Sequence, residues 1–165
     1  MPFPVAKVVS GGQTGVDQAA LDAAIALGIP HGGWCPRGRR SENGRIPDIY
    51  QLLETDTGDY SVRTEKNICD SDATLILHSG RLTGGTRLTW KLVQRHDKPF
   101  LTVDLKDVVP LLAVSGVQDW LLKNQVQILN VAGPRESNMP GIQQRAENFL
   151  KMALCDSKSN EDVCD

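Results

Sequence analysis

The sequence has no long apolar run, few aromatic residues (5% of 165) and only a handful of cysteines, and each shortage narrows what the chain can be. Its longest apolar stretches are strand-sized, too short to span a bilayer or to form the apolar part of a secretion signal, so a cytoplasmic protein is expected. Cys35, Cys69, Cys155 and Cys164 stand far apart, without the CxxC spacing of a zinc site or the density of a disulfide framework, and read as reduced thiols. Cys35 in particular reads as a small buried hydrophobe rather than a metal ligand. His31, His78 and His96 show no ligand spacing, so neither a metal site nor a Ser-His-Asp or Cys-His arrangement is assigned. Charge of one sign is not in excess either. A net charge of −2 gives no field to draw the chain to nucleic acid or an anionic membrane, and a small-molecule partner is expected.

Repeats, low-complexity tracts and proline-rich linkers are also missing. A single domain is expected over 1–155, followed by a polar, flexible tail over 156–165 in which Val163 is the one large apolar residue. What is present is an alternation. A β-branched strand at 5–9 meets a glycine turn, and Val16, Ala19, Ala20, Ala23, Ala24 and Leu27 then recur at helical spacing up to Gly28. Further strands are expected at 31–35, 50–55, 73–78, 99–104 and 126–132, and helices at 61–69, 87–96, 116–124 and from Pro140 onward. Strands and helices alternating in this way predict an α/β, Rossmann-like fold, a mostly parallel central sheet with helices on both faces.

In such a sheet, ligands bind beyond the carboxyl ends of the strands, where helix N-termini offer free N–H groups and a positive dipole end. Three loops fall there. The first, Ser10, Gly11, Gly12, Gln13, Thr14 and Gly15, allows close backbone approach to an anion and adds hydroxyl donors, although it is neither a Walker A sequence nor a strict GxGxxG. A glycine turn needed only for strand-to-helix packing explains it equally well. The second loop offers Arg81, Thr83, Gly84, Gly85 and Thr86, and the third Arg135, Glu136 and Ser137, with the planar guanidinium of Arg135 suited to phosphate or carboxylate. Between the second strand and Ile46, Arg37, Arg39, Arg40 and Arg45 form a basic cluster in an otherwise acidic chain. It is either a mobile flap over a ligand, with Arg37 as a contact, or a solvated loop whose arginines pair with Glu42 or Asp48.

The strings SGGQTGVDQAALD from Ser10, GWCPRGRR from Gly33, TEKNICDSD from Thr64 and VAGPRES from Val131 together resemble the molybdenum cofactor carrier proteins, over residues 5–154 and in the same order. That family is related to the lysine-decarboxylase-like phosphoribohydrolases. The resemblance implies a homo-oligomer, a tetramer, that binds the molybdopterin-type cofactor as cargo, protects it from oxidation and passes it to apo molybdenum enzymes. Molybdate is a further candidate ligand. The chemistry agrees, because the cofactor's terminal phosphate suits a glycine loop and its anionic oxo-molybdenum end suits arginine.

Two other functions fit the same loops. A nucleoside-monophosphate phosphoribohydrolase would need a carboxylate on the helix after its glycine loop, and residues 84–91 have none, leaving Asp17 or Glu136 as substitutes. A sensor of a nucleotide-derived ligand would need only the loops. The expectation is therefore a non-catalytic carrier.

Overall fold

In the computed structural model, which describes residues 5–106 and 110–155, β1 (Lys7–Val9) leads to α1 (Val16–Leu27), β2 (His31–Gly32), β3 (Trp34–Cys35), β4 (Arg40–Ser41), β5 (Gly44–Arg45) and β6 (Leu53–Glu54). The chain continues through α2 (Tyr60–Cys69), β7 (Ala73–His78), α3 (Gly84–Arg95), β8 (Phe100–Asp104), α4 (Pro110–Lys123), β9 (Ile128–Ala132) and α5 (Ile142–Leu154). The main sheet has the order β2-β1-β9-β7-β8 and every pairing in it is parallel. This is the α/β, Rossmann-like architecture that the alternation predicts. The tail expected at 156–165 lies outside the described residues. Among those residues, no helix is long and apolar enough to cross a membrane.

Strand β7 shows how the layers are set. Ala73, Leu75 and Leu77 join the cluster formed by Val16, Ala19, Ala20, Ala23 and Ala24 of α1, Val117 and Leu121 of α4, and Ala146, Phe149 and Leu150 of α5. Alternation along a strand then turns Thr74 and Ile76 to the other face. That face is the side of α2 and α3, where Ile68, Leu92 and Val93 pack together with Leu88 and Phe100. The alanines of α1 allow α5 to lie close against it. Leu75 and Leu77 follow the alternation of a strand, and Val117 and Leu121 the four-residue spacing of a helix.

Several boundaries differ from expectation. The strand expected at 31–35 divides at Gly33, whose φ of 127° turns the chain out of the main sheet, so that β2 pairs with β1 while β3 pairs with β6. A side chain at Gly33 would strike the Ser10 carbonyl, which accounts for glycine at the turn. Only Leu53–Glu54 of the expected strand at 50–55 is paired. Helix α3 starts at Gly84, three residues earlier than expected, and α4 starts at Pro110 with Gly116 inside it, because proline at a first turn and buried Val114, Val117 and Leu121 outweigh glycine's low propensity. Pro140 lies before the cap Gly141 rather than within the first turn of α5.

Candidate functional site

A cavity of about 180 Å³ lies beyond the carboxyl ends of β1, β9 and β7, walled by the start of α1, the segment after β9, α2 and the first turn of α3. Gln13, Asp17, Tyr60, Arg63, Thr64, Thr83, Gly84, Gly85, Thr86, Gly133, Arg135 and Asn138 are among its lining residues. Its volume is below the roughly 300–1,000 Å³ of pockets that enclose a whole drug-sized ligand. It suits one end of a ligand, a phosphate-sized group and part of what carries it.

The first glycine loop reaches this cavity through Gln13 and is otherwise knitted into the protein. Gln13 N–H donates to Asp17 Oδ2 at 3.2 Å, Thr14 N–H to Gln13 Oε1 at 3.1 Å, Gly15 N–H to Gln143 Oε1 at 2.9 Å and Val16 N–H to the Pro134 carbonyl at 3.1 Å. The Ser10 hydroxyl is buried and donates to the Val131 carbonyl at 2.7 Å. A Cβ on Gly12 would lie 2.6 Å from Leu52 Cδ1, and one on Gly15 would collide with the Pro134 carbonyl. The packing account of this loop therefore describes most of it.

The second loop is different. Thr83 caps α3 without a side-chain capping hydrogen bond, so the amides of the first turn, at Gly84, Gly85 and Thr86, are open to a ligand or solvent. A Cβ on Gly84 or Gly85 would meet nothing within 4 Å. These amides and the dipole of α3 form one wall of the cavity.

Opposite them stands α2. Tyr60, Arg63, Thr64 and Asn67 recur at i, i+3, i+4 and i+7, a helical face that is polar where a core face would be apolar. Arg63 Nη1 donates to Asp17 Oδ2 at 3.0 Å, with side-chain exposures of only 14% and 4%. Burial raises the pKa of Asp17, and the facing Arg63 guanidinium together with the Gln13 N–H partly offsets that rise. Among the described residues, two buried side-chain nitrogens have no partner: Arg63 Nε and Gln13 Nε2. Gln13 is 5% exposed and lines the cavity, so its free amide donor is a group that a ligand oxygen would satisfy. The guanidinium groups of Arg40, Arg63 and Arg135 lie 5.7, 5.8 and 5.8 Å from the centre of the Tyr60 ring. Three guanidinium groups thus gather around Tyr60, a residue of the cavity wall, and two of them, those of Arg63 and Arg135, belong to lining residues.

Of the residues singled out in the sequence, Gln13, Thr83, Gly84, Gly85, Thr86 and Arg135 line the cavity. Gly11 borders a small recess beside it, where a side chain would strike the Arg63 guanidinium. Ser10, Gly12 and Gly15 are held in packing and internal hydrogen bonds and do not line it. Arg81 is exposed, and Arg37 is exposed beside Glu54, Thr55 and Asp56, away from the cavity. Glu136 caps α5, accepting hydrogen bonds from the amides of Gly141 and Gln143. Thr14 and Ser137 donate instead to Glu42. The basic loop is largely folded: Arg39 is buried and donates to the carbonyls of Ile46, Pro47 and Tyr50, and Arg45 pairs with Asp48 at 2.6 Å. Cys35 is buried, and burial pushes its thiol pKa up. Sequence reasoning missed Tyr60, Arg63, Thr64 and Asn138, and kept Asp17 only as a substitute acid. The polar i, i+3, i+4, i+7 face of α2 was the available signal for the first three.

The sequence profile of the circularly permutated YpsA SLOG family matches residues 8–154. No curated protein matches. Among solved structures, one from Syntrophus aciditrophicus SB, a protein bearing the provisional name molybdenum carrier protein, is 45% identical with a TM-score of 0.91, covering 94% of this chain and 98% of that one. Both findings agree with the resemblance to carrier proteins read in the sequence, and the chain belongs to the circularly permutated YpsA SLOG family.

Proposed function

We propose that the chain binds the molybdenum cofactor through its terminal phosphate, holds it as a non-catalytic carrier, protects it from oxidation and releases it to apo molybdenum enzymes. The observation that carries this reading is the convergence of the α3 amides, the unpartnered Gln13 Nε2, Arg63 and Arg135 on one cavity that suits the phosphate-bearing end of a ligand. Thr83, Thr86 and Asn138 add neutral hydrogen-bonding groups for the ester oxygens or the pterin. Exposed Leu111 and Leu112 on α4 and Met152 on α5 support assembly as a homo-oligomer. The name borne by the similar structure accords with this cargo.

The test is an anaerobic thermal melt of the purified protein with intact cofactor, with fluorescence of the oxidised pterin as a check on what copurifies. A ligand at about 100 times its Kd contributes roughly 2.7 kcal/mol and raises Tm by several degrees in a domain of this size. Molybdate alone, lacking the phosphate and pterin, gives a smaller shift. No shift with cofactor and a large one with AMP or a dinucleotide overturns the cargo in favour of a nucleotide sensor.

One observation favours a second reading. Asp17 lines the cavity, and burial raises its pKa, the direction that a general acid requires. A nucleoside-monophosphate phosphoribohydrolase of the related group would release free base from AMP in proportion to the protein and lose that turnover in Asp17→Asn. The carrier reading expects no release above background.

A further inference from the structure

Beside the cavity, the loops after β1 and β9 form a second set of anion donors, and the protein's own Glu42 sits in it. Strands β4 and β5 pair antiparallel, Arg40 with Arg45 and Ser41 with Gly44, which leaves Glu42 and Asn43 as the two-residue turn of a hairpin. This turn puts the Glu42 carboxylate where it accepts from the Thr14 hydroxyl, the Ser137 hydroxyl and the Ser137 amide, the last at 3.2 Å. Arg135 Nη1 stands 3.9 Å from the same carboxylate, too far for a good hydrogen bond and near enough for charge. The Glu42 amide donates to Gln13 Oε1 at 2.9 Å. Gln13 and Arg135 therefore each face two ways, towards Glu42 and into the main cavity.

Two hydroxyls, a backbone amide and a guanidinium around one carboxylate form the donor set that would hold a tetrahedral oxyanion. We propose that Thr14, Ser137 and Arg135 form a second oxyanion subsite, that Glu42 fills it as an internal competitor, and that a second acidic group of the ligand takes its place. The inference rests on the reading that the adjoining cavity holds an anionic ligand. The base of the hairpin has an anchor separate from this contact, Arg39, which is buried and bonded to the Ile46, Pro47 and Tyr50 carbonyls. Gln13 Nε2, buried and without a partner, belongs to the same side chain whose Oε1 holds the Glu42 amide, so the wall shared by the two sites carries an unmet donor. The Glu42 carboxylate is buried enough to be penalised by desolvation, yet the hydrogen bonds from Ser137 and Thr14, with the charge of Arg135, hold its pKa below the usual value. The donors thus favour negative charge at this point.

Titration calorimetry of the full chain with inorganic phosphate and with pyrophosphate tests the subsite. Glu42→Ala should bind pyrophosphate at least tenfold more tightly than the parent, and adding Thr14→Val or Ser137→Ala should remove most of that gain. Glu42→Asp, one methylene short of the donors, should show part of it. Asp48→Asn, which removes a charge from the same loop away from these donors, should leave affinity unchanged. An unchanged affinity in Glu42→Ala, or an equal gain in Asp48→Asn, overturns the subsite while leaving the cofactor reading intact. Failure of the cofactor melt together with the expected gain for pyrophosphate overturns the cargo and leaves the subsite standing. Should Glu42→Ala fold poorly, Glu42→Asp alone and combined with Thr14→Val decides between the same two outcomes.

Discussion

Gly15 and Gly84 both stand where a helix begins after a strand of the main sheet, and both have positive φ, 83° and 53°. Around Gly15 the protein closes in: the Pro134 carbonyl, Arg135 and Glu136 occupy the space a side chain would need, and Gln143 takes its amide. A Cβ on Gly84 would meet nothing within 4 Å, and the helix cap has no side-chain partner. The same residue type in the same topological position does different work. Glycine in the first loop lets three segments pack at backbone distance, while glycine in the second leaves helix amides uncovered. A glycine-rich loop after a strand is thus a binding element only where its N–H groups have no internal acceptor.

The largest effect expected of this difference falls on the packed side. Arg63→Met removes the partner of Asp17 and leaves a buried carboxylate uncompensated, which should cost about 3–5 kcal/mol in urea unfolding at neutral pH. Because the folded-state pKa of Asp17 is raised, the stability tied to its neutral form is present at low pH and lost as pH rises through that pKa. The Arg63→Met penalty should therefore shrink as pH falls. The double variant with Asp17→Asn should recover most of the stability without recovering anion binding. If it stays as unstable as the single variant, Arg63 acts through packing and not charge.

Next come the glycines themselves. Gly15→Ala forces a Cβ onto a backbone carbonyl in a conformation that side chains rarely adopt, a loss of about 3 kcal/mol. Gly85→Leu enters open space on the cavity wall and should change stability by no more than about 0.5 kcal/mol while weakening anion binding at least tenfold. Matching effects on stability in a thermal melt would erase the distinction between the loops. Arg135→Ala then tests the third loop: about 1.5–3 kcal/mol in affinity by calorimetry, with little change in Tm, since its side chain is 37% exposed and its pair with Glu42 is long.

How far the sequence shows these roles depends on what each residue signals locally. The alternation of strands and helices, the alanine face of α1 and the αL stop at Gly28 were legible because their causes are periodicity and backbone sterics, both local. The two loops looked alike because what separates them lies far along the chain: Gln143 and Pro134 for the first, no acceptor for the second. Glu136 looked like a ligand contact and is a cap for α5, because the hydrogen bonds that claim it come from residues 141 and 143. Arg39 and Arg40 share a basic run, yet one is buried as a staple and the other stands near Tyr60. Charge composition carries no information on which arginine meets a carbonyl. Arg63 belongs to a helix with little apolar periodicity, and that lack is itself informative, since the face carrying Tyr60, Arg63 and Thr64 is polar and lines the cavity.

The smallest effect concerns Glu42, which ties the hairpin to the first and third loops. Desolvation acts against its charge, but the donors from Ser137 and Thr14 and the nearby Arg135 outweigh it, and its folded-state pKa lies below the unfolded value. A depressed carboxylate pKa contributes stability that is present above the unfolded value, about 4.3, and is lost as pH falls through the folded one. Glu42→Gln keeps the shape and removes the charge, so it should be slightly less stable than the parent at pH 7. That difference should narrow below about pH 4 and close as Glu42 itself takes up a proton. Urea unfolding of both proteins between pH 3 and 7 measures it. A gap that is constant across this range would mean that the carboxylate contributes hydrogen-bond geometry alone, and the donors around it would then be no more suited to an anion than those of the packed first loop.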